Sequence, residues 1–320
     1  MHFSKILNPA LPATSIRWRR SHLLATAFLL MTIHACAVVP PSELVHGRFH
    51  PAGGTASGTG PQFTGPLTVL TLNVAHGRGT AFSQVFQRGA TARHNLMNIA
   101  AFLKKRDVDI AALQEADGPS LWSGNVDHVS LVADGAGFTW HARAAHVSGW
   151  MATYGTALLS RRPFVAVAGH TFQPSPPTLN KGFLLGRFDW QPDPESDAVF
   201  QIDVLSVHLD FSRRSVRAMQ IAEMQEYLAG RGKPTIILGD FNSDWLSNDS
   251  VVKALSDQAG LEVYRPEDAD LGTYGDGRRR LDWILITREL KFIRYAVLQE
   301  RLSDHLAVVA TIGMRKAGEE

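Results

Sequence analysis

Eight polar residues of this 320-residue chain fall at or beside the ends of apolar runs: Asn73, Glu115, His208, Asp240, Asn242, Asp282, Asp304 and His305. An unpaired carboxylate is very costly to bury, so acids placed this way are there to be partnered or to face a cleft. Polar strand ends gathered along one sheet edge would assemble a single site. Glu115 is a hard oxygen donor of the kind Mg2+ prefers, with waters completing the octahedron. Asp282 can reach His305 if strand 281–287 neighbours strand 306–312, and a carboxylate that fixes an imidazole's tautomer also raises its basicity. Asp240 and Asn242, two apart on a tight turn, aim the same way if locally extended. His208, with an ordinary pKa of ~6.5, can give a proton to an alkoxide near neutral pH. Hydrolysis of a phosphoester asks for these parts: charge neutralisation, an activated water and help for the departing oxygen.

Each residue has a plainer reading when taken alone. Glu115 would be an exposed carboxylate ending a strand, His305 a strand cap, and Asp240 and Asn242 ordinary turn formers. Arg213, Arg214 and Arg217 follow His208 closely and are candidates to hold a phosphate, because guanidinium matches it bidentately. A solvated basic helix end is the alternative. Lys181, in Asn180-Lys181-Gly182, is a further cation candidate. His76 lies three residues beyond Asn73, near the rim of such a site. Trp122, Trp140, Trp150 and Tyr154 read as core aromatics before they read as an apolar wall for a lipid chain or a base.

The elements that must position these groups are legible as alternating patterns. Runs 67–72, 109–113, 154–159, 203–209, 235–238, 281–287 and 306–312 are rich in β-branched and aliphatic residues and predict strands. Residues 91–103 put Leu96, Ile99, Ala100 and Leu103 on one helical face, and 215–228 do the same with Ala218, Ile221, Ala222 and Leu228. Such a mixture predicts sheets packed together with helices outside.

Composition sets the outer bounds. The chain is 45% hydrophobic and 19% charged, which excludes a disordered, collagen-like or polytopic membrane protein. One cysteine excludes a disulfide framework and any site built on several thiolates. The first 36 residues hold Lys5, Arg17, Arg19 and Arg20 and no acid; 32 basic side chains less those four leave 28 against 30 acidic ones. A body near −2 does not have the global basicity of a protein that grips nucleic acid by phosphate neutralisation.

Arg17-Trp18-Arg19-Arg20 precedes an apolar stretch from Leu23 to Ile33 and small residues around Cys36, the layout of an export signal over residues 1–36. Ile33-His34-Ala35-Cys36 resembles a bacterial lipobox, which would anchor the protein through Cys36. Alternatively Ala35-Cys36-Ala37 is a cleavage site and the protein is released. The expected location is therefore exported, whether periplasmic, membrane-anchored or secreted. Residues 37–65, with a Gly/Ser/Thr/Pro stretch, read as a linker; 66–313 form the folded body and 314–320 a tail.

Seven motifs occur in order across 66–313: Leu70-Thr71-Leu72-Asn73, Gln114-Glu115, Tyr154–Ser160 (YGTALLS), Val207-His208-Leu209-Asp210, Gly239-Asp240-Phe241-Asn242, Leu281-Asp282-Trp283-Ile284 and Ser303-Asp304-His305. Any one is weak; together they resemble the endonuclease/exonuclease/phosphatase superfamily with its deoxyribonuclease I-like fold. That resemblance implies an α/β fold, a four-layer sandwich of two mainly antiparallel β-sheets flanked by helices. It implies metal ligands at Glu115, Asn73 and Asp304, with Mg2+ expected and Mn2+ or Ca2+ as alternatives. It also implies that Asp240 or His305 is the base, that Asp282 pairs with His305, that Asn242 contacts phosphate or metal, and that His208 acts on the leaving group. A tyrosine at that position marks the abasic-site repair branch, from which His208 departs.

The expected activity is divalent-metal-dependent hydrolysis of a small or lipid-linked phosphodiester by a monomer. A secreted endonuclease or exonuclease on DNA or RNA is the alternative enzyme. A non-catalytic surface binding module is the alternative of another class.

Overall fold

The computed structural model describes residues 45–48, 62–80, 89–316 and 318. The export signal read at 1–36, most of the linker and part of the tail lie outside them. The described chain begins β1 (Val45–Arg48), β2 (Phe63–Thr64), β3 (Leu67–Asn73), α1 (Gly89–Lys104) and β4 (Ile110–Asp117). Next come α2 (His128–Ala136), β5 (Trp140–Val147), β6 (Tyr154–Ser160), β7 (Ala166–Thr171), β8 (Gly182–Gln191) and β9 (Phe200–His208). It continues with α3 (Arg214–Leu228), β10 (Thr235–Asp240), α4 (Val251–Ala259), β11 (Glu262–Val263), β12 (Asp282–Ile286), β13 (Leu290–Val297) and β14 (Val308–Met314).

Two seven-stranded sheets result. One has the order β1-β5-β6-β4-β3-β14-β13; the other runs β11-β12-β10-β9-β8-β2, with β7 also paired to β8. Pairing is antiparallel except for β3 with β4, β9 with β10 and β2 with β8. A parallel neighbour needs a crossover long enough to hold a helix. Here α1 returns the chain from β3 to β4, and α3 from β9 to β10.

The apolar spacing of each helix decides where it lands. Leu96, Ile99 and Leu103 of α1 pack with Leu70, Leu72 and Leu113 on the outer face of the first sheet, where Val129 and Val132 of α2 join them. Ile221 and Met224 of α3, with Val252 and Leu255 of α4, cover Leu205, Val207, Ile237 and Leu285 on the second. Between the sheets lie Val69, Ile110 and Leu158 from one side and Leu184, Phe188, Val204, Leu238 and Ile284 from the other. Alternate residues of β3 thus serve two cores, as a strand buried on both faces requires. The four-layer α/β sandwich is the architecture expected.

The folded body begins earlier than residue 66. Phe63–Thr64 pairs with Trp190–Gln191, the Trp190 indole donates to the Gly65 carbonyl at 2.7 Å, and Val45–Arg48 adds an antiparallel strand to β5. Glycine-rich composition hides Phe63, whose ring packs 5.6 Å from that of Phe188. Sequence periodicity also passes over β5, β7, β8, β13 and the nine-residue helices α2 and α4, which are too short or too irregular in pattern to register. Among the described residues no helix is long and apolar enough to cross a membrane.

Two glycines are demanded by close approach. A Cβ at Gly155 would stand 1.8 Å from the Ala144 carbonyl oxygen, and one at Gly239 would stand 2.0 Å from that of Val207. Both lie within the YGTALLS and Gly-Asp-Phe-Asn motifs, so part of those motifs is strand contact and not chemistry.

His146 ties three strands together. Its ring nitrogens lie 3.1 Å from Thr171 Oγ1 and 3.0 Å from Thr156 Oγ1, and burial with the Lys181 and His170 charges pushes its pKa down to about 3. The unfolded chain therefore binds one more proton than the folded one between pH ~6.5 and about 3, so stability falls as pH drops through that window. From pH 7 to pH 5 the group accounts for a loss of about 2 kcal/mol. Urea denaturation of His146→Gln should show a correspondingly smaller loss than the wild type; equal losses would refute the assignment.

Candidate active site

The carboxyl ends of the β3–β4 and β9–β10 parallel pairs open on the same edge of the sandwich. Asn73 ends β3, and Glu115 stands near the end of β4, where the pairing with β6 shifts register between Leu113 and Ala116. Glu115 has φ +53°, a left-handed conformation costly for a residue that carries a Cβ and one that turns its side chain out of the ladder. Around its carboxylate stand His76 Nε2 at 3.3 Å, Arg78 Nη1 at 3.7 Å and His208 Nε2 at 3.9 Å. Burial alone would raise the Glu115 pKa, but His76, Lys181, His208 and Arg78 together hold it far below the usual carboxylate range. His76 is oriented from behind by Asp117, Nδ1 to Oδ1 at 2.7 Å; burial works against its charge, yet Glu115 and Asp117 leave its pKa raised.

The facing wall belongs to the second sheet. Asp240 ends β10, registered against His208 of β9 and Asp282 of β12. Its Oδ2 accepts from Asn73 Nδ2 at 2.9 Å and lies 3.6 Å from His208 Nε2 and 3.7 Å from His305 Nε2. Its Oδ1 accepts from the Asn242 amide at 2.9 Å, and Asn242, at φ +49°, donates its side-chain amide to the Leu209 carbonyl. Asp282 is fully buried; its Oδ2 accepts from Thr273 Oγ1 at 2.7 Å and faces His305 Nδ1 at 2.8 Å.

Two imidazoles are driven in opposite directions. Burial lowers both, but the Asp282 and Asp240 carboxylates outweigh it at His305 and raise that pKa to about 10. At His208 the Lys181 ammonium, 3.3 Å from Nε2, adds to burial and pushes the pKa well below the ordinary value. Asp240 is raised to about 6, by burial first and by Asp282, against the opposing pull of His305.

Seven of the eight polar strand ends read from sequence line one cleft of about 240 Å³, and Asp282 is held against His305 at 2.8 Å. The premise for Asp282 and His305 differs from expectation. β12 and β14 lie in different sheets, and the pair meets because His305 sits in the turn before β14, bridged to Tyr274. Lys181 is buried behind His208 and holds no open position on the cleft.

Arg213 and Arg217 are not brought to it. Arg213 donates to the carbonyls of Ser175 and Pro176 and to Thr178 Oγ1, and Arg217 donates to the Asp210 carbonyl at 3.1 Å. They are spent on closing loops, in a turn that Asp210 fixes by accepting from the backbone amides of Ser212 and Arg213. The guanidiniums lining the cleft are Arg78 and Arg279. Neither stands out in the sequence, although Arg78 lies five residues after Asn73. Of the aromatics, Trp150 and Trp122 are exposed, Tyr154 is buried and Trp140 packs against the inter-sheet core.

The donors suit a hard divalent cation. Glu115 and Asp304 both take the Arg78 guanidinium, Nη1 toward Glu115 and Nη2 on Asp304, so a positive charge already stands between two carboxylates. Asn73 Oδ1 accepts one backbone hydrogen bond, from Ala75, and keeps a second lone pair. Asp240, Asp282 and His305 offer a second group of three ligand atoms within 4.8 Å of one another. The hydrogen bond of Asp282 to the ring makes that trio foremost an orienting array.

Replacing Asp282 with Asn removes the strongest charge that keeps His305 protonated while preserving size. Imidazole 15N shifts should then show His305 titrating well below its present value near 10. A ring still protonated at about pH 9 in the variant would transfer that role to Asp240.

The model of the Endonuclease/Exonuclease/phosphatase family matches residues 70–305. Among solved structures, an endonuclease/exonuclease/phosphatase family protein from Leptotrichia buccalis is similar at 18% identity with a TM-score of 0.60, over 78% of this chain and 100% of that one. A mannosyl-6-phosphatase from Bacteroides thetaiotaomicron is similar at 16% identity and TM-score 0.56, over 77% of this chain and 99% of its own. The beta toxin of Staphylococcus aureus gives 14% and 0.52, over 76% and 99%. At these identities the likeness is one of fold. A comparison with curated protein sequences gives no match. The span of the family match and the cleft it encloses agree, and the chain belongs to the endonuclease/exonuclease/phosphatase family.

Proposed function

We propose that the protein is a divalent-metal-dependent hydrolase of a small or lipid-linked phosphodiester. One observation carries this reading: a cleft of about 240 Å³ with a two-carboxylate cation place on one wall and the Asp282–His305–Asp240 array on the other. Glu115 and Asp304, with Asn73 beside them, would hold the metal, which supplies charge neutralisation at the phosphoryl oxygens.

The chain's own groups do the rest. His305, kept as an imidazolium by Asp282, binds and polarises a phosphoryl oxygen. Asp240, fixed by Asn73 and the Asn242 amide, orients a water and takes its proton. His208, kept neutral by burial and Lys181, supports the leaving oxygen with an N–H hydrogen bond. The near-neutral body and the small cleft favour a compact diester over a tracked duplex. Export through residues 1–36, by anchoring at Cys36 or by release, would present the cleft to substrates outside the cytoplasm.

A second reading, a secreted nuclease, is favoured by Arg279 on the cleft and the exposed Arg278 beside it. The two separate in a parallel assay of metal-stripped protein given back Mg2+ with bis-p-nitrophenyl phosphate, p-nitrophenylphosphorylcholine and plasmid DNA. Turnover of the small diesters without nicking is expected. Nicking that fades steeply with salt would replace the first reading with the second. Glu115→Gln should cut turnover about a hundredfold or more with the melting profile intact. Silence on every substrate, with a folded protein, would leave a binding module.

A further inference from the structure

We propose that Arg78 is the resident counter-cation of the metal place, holding Glu115 and Asp304 together until a divalent ion displaces its guanidinium toward the phosphate. This rests on the metal-dependent reading above and concerns a residue outside the motifs that define the family. The guanidinium reaches both carboxylates at once, and the three side chains are 21%, 17% and 26% exposed. They are sheltered enough for the charges to matter and open enough for an ion to enter.

The backbone beneath Arg78 is pinned. Ala75, His76, Gly77 and Gly79 all have positive φ, Asn95 Nδ2 donates to the Gly77 carbonyl at 2.9 Å, and the Arg78 amide donates to Ala75 at 2.9 Å. A Cβ at Gly77 would already touch Ala92, Leu96 and His128 at 3.4 Å. The turn cannot withdraw, so only the side chain can move. It lines the same cleft as Arg279, Tyr274 and His305. Arg78 is not the sole positive neighbour of Glu115, since His76 stands at 3.3 Å and the Lys181 charge also acts on it. Asp304 has Ser303 Oγ at 3.1 Å on its other oxygen. What Arg78 adds is a positive charge between the two acids, and a phosphoryl group offers it another anionic partner in bidentate geometry.

A competing cation makes a clear demand on affinity. Removing it should tighten metal binding, whereas removing a mere support for the ligands should weaken it. Mn2+ binding to the full chain, read by electron paramagnetic resonance, should be about three- to tenfold tighter in Arg78→Gln than in the wild type, with Arg78→Lys between them. Saturating inorganic phosphate should narrow the gap by drawing the wild-type guanidinium away. Equal or weaker Mn2+ binding by a folded Arg78→Gln overturns the proposal while leaving metal dependence standing, as does a gap indifferent to phosphate. No Mn2+ binding by any of the three proteins overturns both. Should Arg78→Gln fail to fold, Arg78→Lys alone decides by the same sign.

Discussion

The hydrogen bond from Asn73 Nδ2 to Asp240 Oδ2 joins the two sheets at the cleft and sets the two walls of the site against each other. Asn73 belongs to β3 and Asp240 to β10, so no local geometry places one against the other. A bond to a buried carboxylate contributes about 1.5–3 kcal/mol, and losing the donor would strand a desolvated acid. The same register is fixed a layer deeper, where Gln114 Nε2 donates to Ser206 Oγ at 3.1 Å and that hydroxyl donates to the Leu113 carbonyl at 3.2 Å. Thr71 completes the chain through its 3.2 Å contact with Gln114 Oε1. Apolar packing between sheets is non-directional and would tolerate a slip; these polar crossings do not.

With the sheets locked, the cleft divides into walls of opposite character. Around Glu115 the neighbours are cationic, His76, Arg78 and Lys181; around His305 they are Asp240 and Asp282. Each group is held in the charge state its own wall favours, and groups of one chemical type are driven apart. His208 and His305 have the same ordinary pKa, and only the strand next to each decides which is neutral and which is charged. Pairs of titratable groups pushed in opposite directions are what division of acid–base labour requires.

How much of this was legible in the sequence follows from the same geometry. The eight polar strand ends could be read because an acid, amide or imidazole closing an apolar run has few inexpensive positions, and the strands around them are strongly patterned. Glu115 stands out only in company with the other motifs, since Gln114-Glu115 after an apolar strand also fits an exposed carboxylate. Its left-handed φ, which aims the side chain, left no mark in composition. Arg213 and Arg217 look suitable because they follow His208, but Arg213 turns to the 175–178 loop and Arg217 to the Asp210 carbonyl. Arg78 and Arg279 were hidden for the converse reason: their turns are surface segments whose folding over the cleft depends on contacts such as Asn95 with Gly77. Lys181 was found as a cation but given a phosphate to hold, whereas burial made it a neighbour of His208. Residue type is local information; the direction of a long side chain belongs to the tertiary structure.

Selectivity must then come from somewhere other than the floor. In the function proposed above, every floor group, from Asn73 and Glu115 to Asp240, His208 and His305, addresses a phosphoryl oxygen, a water or another floor group. None of that chemistry distinguishes one alcohol from another. The rim is different in kind. Phe211 is 65% exposed at the cleft, Tyr274 stacks edge-on to His305 at 4.8 Å, and Leu281 adds an apolar edge beside Arg279. Farther out, two uncharged loops hydrogen-bonded through Leu121 to Trp150 and Trp122 to Met151 expose Leu121 and both tryptophans, and the Trp122 ring lies 6.0 Å from that of His76. A chemically indifferent floor under a variable rim is how one fold serves phosphatases and nucleases alike. In this chain the rim is mixed apolar and basic, with Phe211, Tyr274 and Leu281 beside Arg279.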